Sequence, residues 1–334
     1  MIRYIGKRLL QMIPVVVCVA ILIFTIMYFV PGDPAEIILG VTATKQELEA
    51  CRESLGLNQP YIVRLAYFLR DTFLRFDLGK SYVDGTAVLD NILSRLPYTL
   101  IISLGSMAIA IVAGIVLGII AALNQNGIAD RLCMVLALIG VSMPGFWLAL
   151  MLVIWLALQH SILPSYGVGG VKHFIMPWIA AALPELARLA RQARSSMLEV
   201  IHSDFVTTAK AKGVKKWNIV FKHELPNALI PIITTIGSGL AHGMGGALVI
   251  ESVFSIPGLG LYITNSINNR DYPSVQGAIV FFSIMFSVIM LLVDLAYAAV
   301  DPRIKAAFSG SAQKKKKVKA AAAVSEEEGD GGDQ

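Results

Sequence analysis

The triplet Gly79-Lys80-Ser81 comes nearer to a nucleotide-binding motif than any other part of this sequence. A phosphate-binding P-loop also requires a glycine five residues before the triplet and a strand leading into the loop. Leu74 occupies the glycine position, and no strand-like segment precedes it. The metalloprotease motif HExxH and the nucleophile motif GxSxG do not occur either. We therefore predict that the chain binds no nucleotide, has no catalytic residue and is not an enzyme.

The histidines and cysteines give no better evidence of a catalytic or metal site. His202 with Asp204, and His223 with Glu224, have the residue types of acid–base catalysis. Residues one or two apart on a helix do not face each other, so both pairs are predicted to be surface groups. The cysteines are scattered and odd in number, which fits neither a disulfide framework nor a zinc site: Cys18, Cys51 and Cys133. No metal site is predicted.

Three ionisable residues lie within strongly apolar segments: His242, Glu251 and Asp294. Ionisable side chains inside a membrane are costly and commonly line the path of a transported solute. These residues are therefore our candidates for a translocation path. Glu251 and Asp294 also lie near the ends of their segments, so placement at the membrane interface is the alternative. His242 and Met244 are soft ligands for a metal ion, but one pair on one helix is thin support for a metal path.

The composition indicates an integral membrane protein. Hydrophobic residues make up 56% of the chain and charged residues 15%, whereas soluble domains carry about 25% charged residues. A membrane-spanning helix needs about 20 mainly apolar residues. We predict an all-α membrane protein with six transmembrane helices, of which Pro144 bends the third, while prolines and charges make the fourth the weakest. The predicted spans are 10–30, 99–122, 132–158, 174–190, 229–253 and 277–300.

The positions of lysine and arginine predict how the chain is oriented in the membrane. The loop 191–228 contains seven basic residues. The short loops on the opposite side, 159–173 and 254–276, contain only Lys172 and Arg270. Because basic residues concentrate in cytoplasmic loops, the loop 191–228 and both termini are predicted to be cytoplasmic. The chain is thus expected to be a multi-pass protein of the cell membrane.

The segment 31–98 is predicted to be a small helical unit on the outer face. Thr44 followed by Glu47 is a capping-box signature. The helix that it starts would continue to about Leu55 and stop at Gly56. A second helix is indicated by apolar residues at helical spacing, a pattern typical of packing surface: Tyr61, Leu65, Phe68, Leu69 and Phe73.

These observations divide the chain into four parts. Residues 1–30 are a cytoplasmic N-terminus with the first transmembrane helix, and 31–98 are the outer segment. Residues 99–305 are a five-helix core that includes the loop 191–228. The tail 306–334 combines a lysine run, an alanine run and an acidic end. It is predicted to be disordered and cytoplasmic, with its lysines against anionic membrane lipid.

Two of the apolar segments carry a small residue at every fourth position. A helix face made of small residues lets a neighbouring helix approach closely. Such a face is compatible with tight packing and with a surface along which helices shift. The two rows are Ser106, Ala110, Gly114, Gly118 and Ala122, and Thr235, Gly239, Gly243 and Ala247.

The loop 191–228 is basic and helix-forming, although the chain on either side of it is apolar. A first helix is predicted to begin at Asp204 as N-cap and to stop at Gly213. A second helix is predicted over 215–224, ending before Pro226. Two short helices joined at a glycine make a compact projection with some apolar side chains. Such a projection suits docking into the cleft of a partner protein.

This loop resembles the EAA loop of ABC-importer permeases, whose pattern is Glu-Ala-Ala, three residues, Gly, nine residues, Ile-x-Leu-Pro. Thr207-Thr208-Ala209, Gly213 and Leu225-Pro226 occupy the matching positions, and His223 replaces the isoleucine. AKAKG and KHELPNAL resemble the dipeptide/oligopeptide/nickel branch of the family, which more often has arginine where Pro226 stands. Further strings extend the resemblance over about 1–305: VPGDPA, DLGKSY, RLPYTL, GVSMPGFW, ESVFSIPGLG, NRDYPSVQG and VDLAYAAVDPR.

The resemblance implies the permease subunit of an ATP-driven ABC importer. Di- or oligopeptides are the first candidate cargo and nickel the second. A self-sufficient channel or secondary transporter is the alternative from another class, although the predicted spans are poor in charge. The implied partners are a second homologous permease, two cytoplasmic ABC ATPase subunits that bind ATP and Mg, an extracytoplasmic solute-binding protein and membrane lipid. This chain itself would bind no cofactor and no nucleic acid.

The resemblance also implies which residues couple ATP hydrolysis to transport. In permeases with an EAA loop, a short coupling helix sits in a groove of the ATPase. The coupling residues carried over to this chain are Asp204, Phe205, Thr207, Thr208, Ala209, Lys212, Gly213, Leu225, Pro226 and Asn227.

Overall fold

The computed structural model describes residues 2–40 and 42–300, and these residues form helices, with a single isolated β-bridge between Lys80 and Ala87. The predicted disorder of 306–334 lies outside the described residues. The helices are α1 (Ile2–Phe29), α2 (Pro34–Leu39), α3 (Lys45–Ser54), α4 (Tyr61–Leu74), α5 (Val88–Leu123), α6 (Ile128–Ser142), α7 (Gly145–Leu152, continued by a π-helical stretch Val153–Gln159), α8 (Val171–Ile201), α9 (Asp204–Ala211), α10 (Lys216–Asn218, continued by a π-helical stretch Ile219–Glu224), α11 (Leu225–Val253), α12 (Leu259–Asn268) and α13 (Tyr272–Val300).

The described residues contain four helical stretches long and apolar enough to cross a membrane: Arg8–Phe29, Val88–Leu123, Lys216–Gly245 and Tyr272–Ala296. A fifth is reached if the bent pair Ile128–Ser142 and Gly145–Gln159 counts as one span. The predicted fourth span lies inside α8, where Glu185, Arg188 and two prolines lower the hydropathy. The all-α membrane fold is therefore confirmed, while the count of six spans stays a prediction.

Pro144 breaks the third predicted span more sharply than a bend. The helices on its two sides differ in direction by 97°. Met143, the residue before the proline, has extended backbone angles with φ −82° and ψ 123°. A residue that precedes proline is disfavoured in the helical region because the proline ring clashes with its backbone. The helix therefore ends at Ser142 and a new helix starts at Gly145 in another direction.

The first row of small residues packs α5 against α8. Gly114 lies against the carbonyl of Leu186 and the side chain of Leu189, and a Cβ atom on Gly118 would overlap Ala193. The row thus serves close helix packing. The second row, on α11, has mixed surroundings: a Cβ atom on Gly239 would crowd the side chains of Glu185 and Met107, whereas a Cβ atom on Gly243 would meet nothing within 4 Å.

The predicted capping box at the start of α3 is confirmed. The Thr44 backbone N–H donates to the Glu47 carboxylate over 2.8 Å, and the Glu47 N–H donates to the Thr44 hydroxyl over 3.3 Å. The Glu47 carboxylate also accepts the Thr44 hydroxyl over 2.8 Å, and the hydrogen bonds from the Thr44 N–H and hydroxyl lower the pKa of Glu47. The helix ends at Ser54, and Gly56 has a φ of +66°, as its stop position requires.

The outer segment is tied to the membrane helices in two ways. The apolar side chains of α4 pack against buried residues of α1 and α13, as their helical spacing predicts: Phe68, Leu69 and Phe73. Asp271 is buried and accepts hydrogen bonds from the Ser81 hydroxyl over 2.5 Å, the Tyr82 N–H over 2.9 Å and the Ser274 hydroxyl over 2.7 Å. Burial raises the pKa of Tyr82 to about 12. The GKS triplet thus has a structural role, because its serine anchors the segment.

Candidate functional site

The predicted first helix of the basic loop is α9, Asp204–Ala211. Asp204 is the first helical residue, so its prediction as N-cap is wrong by one position. Ser203 precedes the helix with extended angles, φ −77° and ψ 153°, and its carbonyl accepts the N–H of Val206 over 3.1 Å. The Asp204 carboxylate lies in the first turn, where a negative charge stabilises the helix through its dipole.

The end of α9 is a Schellman motif built on Gly213. The Gly213 N–H donates to the Lys210 carbonyl over 3.0 Å, and the Val214 N–H donates to the Ala209 carbonyl over 3.2 Å. Gly213 has a φ of +72°, a conformation that costs a residue with a side chain about 1–2 kcal/mol. The predicted stop at Gly213 is thus confirmed in position and in mechanism.

The predicted coupling residues on α9 divide between two faces. Val206 and Ala209 are buried against Ile219, so Ala209 holds the helix in place. Phe205 is 47% exposed although it is a large apolar residue. It shares the open surface with Asp204, Thr207, Thr208, Lys212 and Gly213. We call these six residues the open face.

The prediction that the second helix ends before Pro226 is wrong. Helix α10, the π-helical stretch Ile219–Glu224 and α11 follow one another without a gap. The wider π turns shift the hydrogen-bond register immediately before Pro226, so the missing proline N–H falls at the junction with α11. Leu225 is half-buried, and Pro226 and Asn227 are exposed. These residues therefore continue a helix into the membrane.

An ion pair between a buried carboxylate and a half-buried arginine lies at the same end of the molecule. Asp130, at the start of α6, is 3% exposed and accepts from Arg194 of α8 through Nε over 2.6 Å and Nη2 over 2.7 Å. It also accepts the Asn126 N–H over 2.9 Å. This pair fixes the connection between α5 and α6 to α8, seven residues before that helix ends. Sequence reasoning missed it because 64 residues separate the partners.

Replacing Arg194 with methionine is expected to lower the free energy of unfolding by about 2–3 kcal/mol, because Asp130 would stay buried without its charged partner. The unfolding temperature of the detergent-purified chain measures this loss. Arg191→Met, which removes an exposed arginine of the same helix, is the matched control. Equal unfolding temperatures for the two variants would contradict the structural role of the pair.

The three candidate path residues have different surroundings. His242 is exposed on this chain, and its Nδ1 atom lies 2.9 Å from the Ser238 carbonyl oxygen. Asp294 is half-buried in α13. Glu251 is 0% exposed. His242 therefore faces away from the helices of this chain, whereas Glu251 lies among them.

Glu251 is the centre of a buried hydrogen-bond network. Its carboxylate accepts the Thr99 hydroxyl over 2.6 Å and the Leu261 N–H over 3.0 Å, and Thr99 in turn accepts the Leu259 N–H over 2.8 Å. A Cβ atom on Gly258 would overlap this carboxylate. The residues of the string ESVFSIPGLG therefore form a turn that packs against Glu251, the first residue of the string. The role of Thr99 could not be read from the sequence.

Comparison with known proteins identifies the family. Residues 114–306 match the family described as binding-protein-dependent transport system inner membrane component. The chain belongs to this family. Residues 1–104 match the N-terminal part described for the same membrane components. The chain is thus a multi-pass membrane protein and the permease subunit of an ABC importer.

Curated relatives match this permease over nearly their whole length. The dipeptide transport system permease protein DppB of Alkalihalophilus pseudofirmus is 39% identical, with 91% of this chain and 100% of that protein covered. The glutathione transport system permease protein GsiC of Escherichia coli O6:H1 is 39% identical, with 91% and 99% covered.

Solved structures share the fold of the permease. An inward-facing structure of the MetNI methionine ABC transporter has a TM-score of 0.56 at 19% identity, covering 64% of this chain and 98% of that one. An amino acid ABC transporter solved with histidines has a TM-score of 0.52 at 14% identity, covering 63% and 94%. These likenesses confirm the membrane-subunit fold.

Proposed function

We propose that this permease imports di- or oligopeptides. The observation that carries the proposal is that two relatives, each 39% identical over nearly their whole length, are a dipeptide permease and a glutathione permease. Glutathione is itself a short peptide, so both named cargoes belong to one chemical class.

Nickel is not favoured as the cargo. His242 is exposed whereas Met244 of the same helix is 3% exposed, so the two soft ligands face different surroundings. A bound metal ion needs several ligands directed at one point. The described residues contain no group of three or more histidine, cysteine or acidic side chains placed to hold a metal ion.

ATP-driven coupling is proposed to act through the open face of α9. Phe205 is the apolar residue of this face, and it is exposed beside polar and charged neighbours. An exposed aromatic side chain with a polar rim suits a pocket in a partner protein. We assign this partner to a pair of cytoplasmic ABC ATPase subunits, which bind ATP and Mg. The seven basic residues of 191–228 support a cytoplasmic position for α9 and for the termini.

The proposed motion passes from α9 into the membrane through two rigid connections. Helix α8 ends at Ile201, two residues before Ser203, and α10 continues through Pro226 into α11. Val206 and Ala209 fasten α9 to Ile219. A displacement of α9 by the ATPase subunits would therefore shift both helices together. We propose that His242, Glu251 and Asp294 respond to this shift, with His242 facing the path.

The remaining partners are proposed for the outer segment and for the exposed side of α11. The outer segment 31–98 is proposed to receive an extracytoplasmic solute-binding protein. A second homologous permease would cover the exposed side of α11, where His242 lies. Membrane lipid surrounds the spans, and we propose no cofactor on this chain and no nucleic-acid partner.

Uptake measurements test the proposed cargo directly. Cells with and without this chain receive labelled dipeptide or labelled nickel, each with and without unlabelled competitor. Loss of peptide uptake alone in cells without the chain is the expected result. Loss of nickel uptake alone, or loss of neither, would contradict the proposal. A point substitution of His242 by alanine would then separate a metal path from a peptide path.

A further inference from the structure

Glu224 is a buried carboxylate beside the coupling helix. The sequence pairs Glu224 with His223 and predicts that both are surface groups, but Glu224 is only 2% exposed. Its Oε2 atom has no hydrogen-bond partner among the described residues. A buried polar atom without a partner destabilises the fold, and the cost is larger when the group is charged. A partner from outside the chain would remove this cost.

The carboxylate lines a cavity of about 670 Å³. The cavity lies between the end of α5, helix α9 and the π-helical stretch Ile219–Glu224. Its charged walls are Glu224 and the two lysines Lys210 and Lys216, and the Asn124 and Gln125 side chains add amide groups. Six apolar side chains and Gly127 complete the lining, the six being Ala122, Leu123, Ile201, Val214, Ile219 and Val220.

Both signs of charge are thus present in one half-open cavity. Lys210 and Lys216 act electrostatically on the Glu224 carboxylate, yet neither hydrogen-bonds its Oε2 atom. A ligand with an ammonium group at one end and an anionic group at the other matches this arrangement, since the ammonium would donate to the Glu224 carboxylate and the anion would lie near the lysines. Charge-assisted hydrogen bonds of this kind are the strong ones in proteins.

We propose that this cavity binds a small zwitterion, a free amino acid or short peptide, from the cytoplasm. The assignment of the cytoplasmic side and of peptides as the product of import rests on the proposed function. The bound molecule would join Lys210 of α9 to Glu224, the last residue of the π-helical stretch before α11. It would thereby hold α9 in its present position and slow the coupling movement, so that imported product restrains further import.

Binding is tested on the complex of permease and ATPase subunits in nanodiscs of phosphatidylcholine and phosphatidylglycerol, with the solute-binding protein left out. The probe is radiolabelled dialanine. Glu224→Gln keeps the shape of the side chain and removes its charge, so dialanine binding is expected to weaken about tenfold or more. N-acetyl-dialanine lacks the ammonium group and is expected to compete at least about tenfold less well than dialanine. Glu199→Gln, at an exposed glutamate of α8, is the matched control and should leave binding unchanged.

ATP hydrolysis by the same nanodiscs supplies the second measurement. Dialanine is expected to slow hydrolysis by the wild-type transporter and by Glu199→Gln, but not by Glu224→Gln. Equal binding and equal inhibition in wild type and Glu224→Gln would overturn the proposal. Absent dialanine binding, together with a Glu224-dependent stabilisation by added phosphatidylethanolamine, would assign the cavity to a lipid headgroup and would also overturn it.

Failure of the cavity and failure of the proposed cargo are distinguishable. If cells take up peptide but dialanine binding to the nanodiscs does not depend on Glu224, the cavity proposal is wrong and peptide import still stands. Glu224-dependent dialanine binding without peptide uptake would retain the cavity as a zwitterion site and remove peptide as the cargo.

Discussion

Replacing Gly213 with proline is expected to reduce transport to the background of cells that lack the chain, while the protein stays inserted in the membrane. Proline holds φ near −65° and has no N–H, whereas Gly213 has a φ of +72° and donates to the Lys210 carbonyl. Both features of the Schellman motif are therefore lost. Helix α9 would unwind at its end, and the open face that we assign to ATPase contact would lose its shape.

Three measurements are needed for this prediction. Membrane fractionation shows whether Gly213→Pro is inserted, uptake of labelled peptide reports transport, and copurification reports ATPase binding. Gly213→Ala separates the loss of the N–H from the loss of the positive φ, because a methyl group at this site would meet no atom within 4 Å. Alanine keeps the N–H and is expected to cost about 1–2 kcal/mol, so its transport should fall only partly.

Gly56→Pro is the matched control for a broken helix end. Gly56 follows α3 with a φ of +66° and donates its N–H to the Glu53 carbonyl over 3.0 Å, as Gly213 does after α9. The lesion is therefore similar but lies in the outer segment. Transport is expected to survive Gly56→Pro. Wild-type uptake and ATPase copurification in Gly213→Pro would contradict the coupling role of α9.

Local signals in the sequence predicted parts of this structure correctly. The capping box of Thr44 and Glu47, the stop at Gly213 and the change of direction at Pro144, which is sharper than the predicted bend, each depend on a few consecutive residues. Their physics is complete within one or two helical turns, so no knowledge of the neighbouring helices is needed.

The contacts that the sequence did not predict join distant residues. Thr99 and Glu251 are 152 positions apart, and Asp130 and Arg194 are 64 apart. Periodicity shows which residues share a helix face but not which helix that face meets. The prediction that the second helix ends before Pro226 was wrong for a local reason. The π-helical stretch before this proline changes the backbone hydrogen-bond register, so the missing proline N–H does not end the helix.

Replacing Glu251 with alanine is expected to have the largest effect on stability, lowering the free energy of unfolding by about 3–5 kcal/mol. The substitution leaves the Leu261 N–H and the Thr99 hydroxyl buried without their acceptor. It also leaves a cavity at a fully buried position. The turn that closes α11 onto α12 would lose the group around which it is built, and transport would fall with it.

The cause of this loss can be separated from a role of Glu251 in the path. Glu251→Gln keeps the volume and one acceptor but places an NH2 donor among donors, so its unfolding temperature should lie between those of wild type and Glu251→Ala. Glu199→Ala, at an exposed carboxylate, is the control and should change stability little. If Glu251→Ala unfolded at the wild-type temperature yet abolished uptake, the carboxylate would act on the solute. If the unfolding temperature and uptake fall together, Glu251 instead stabilises the structure around the path.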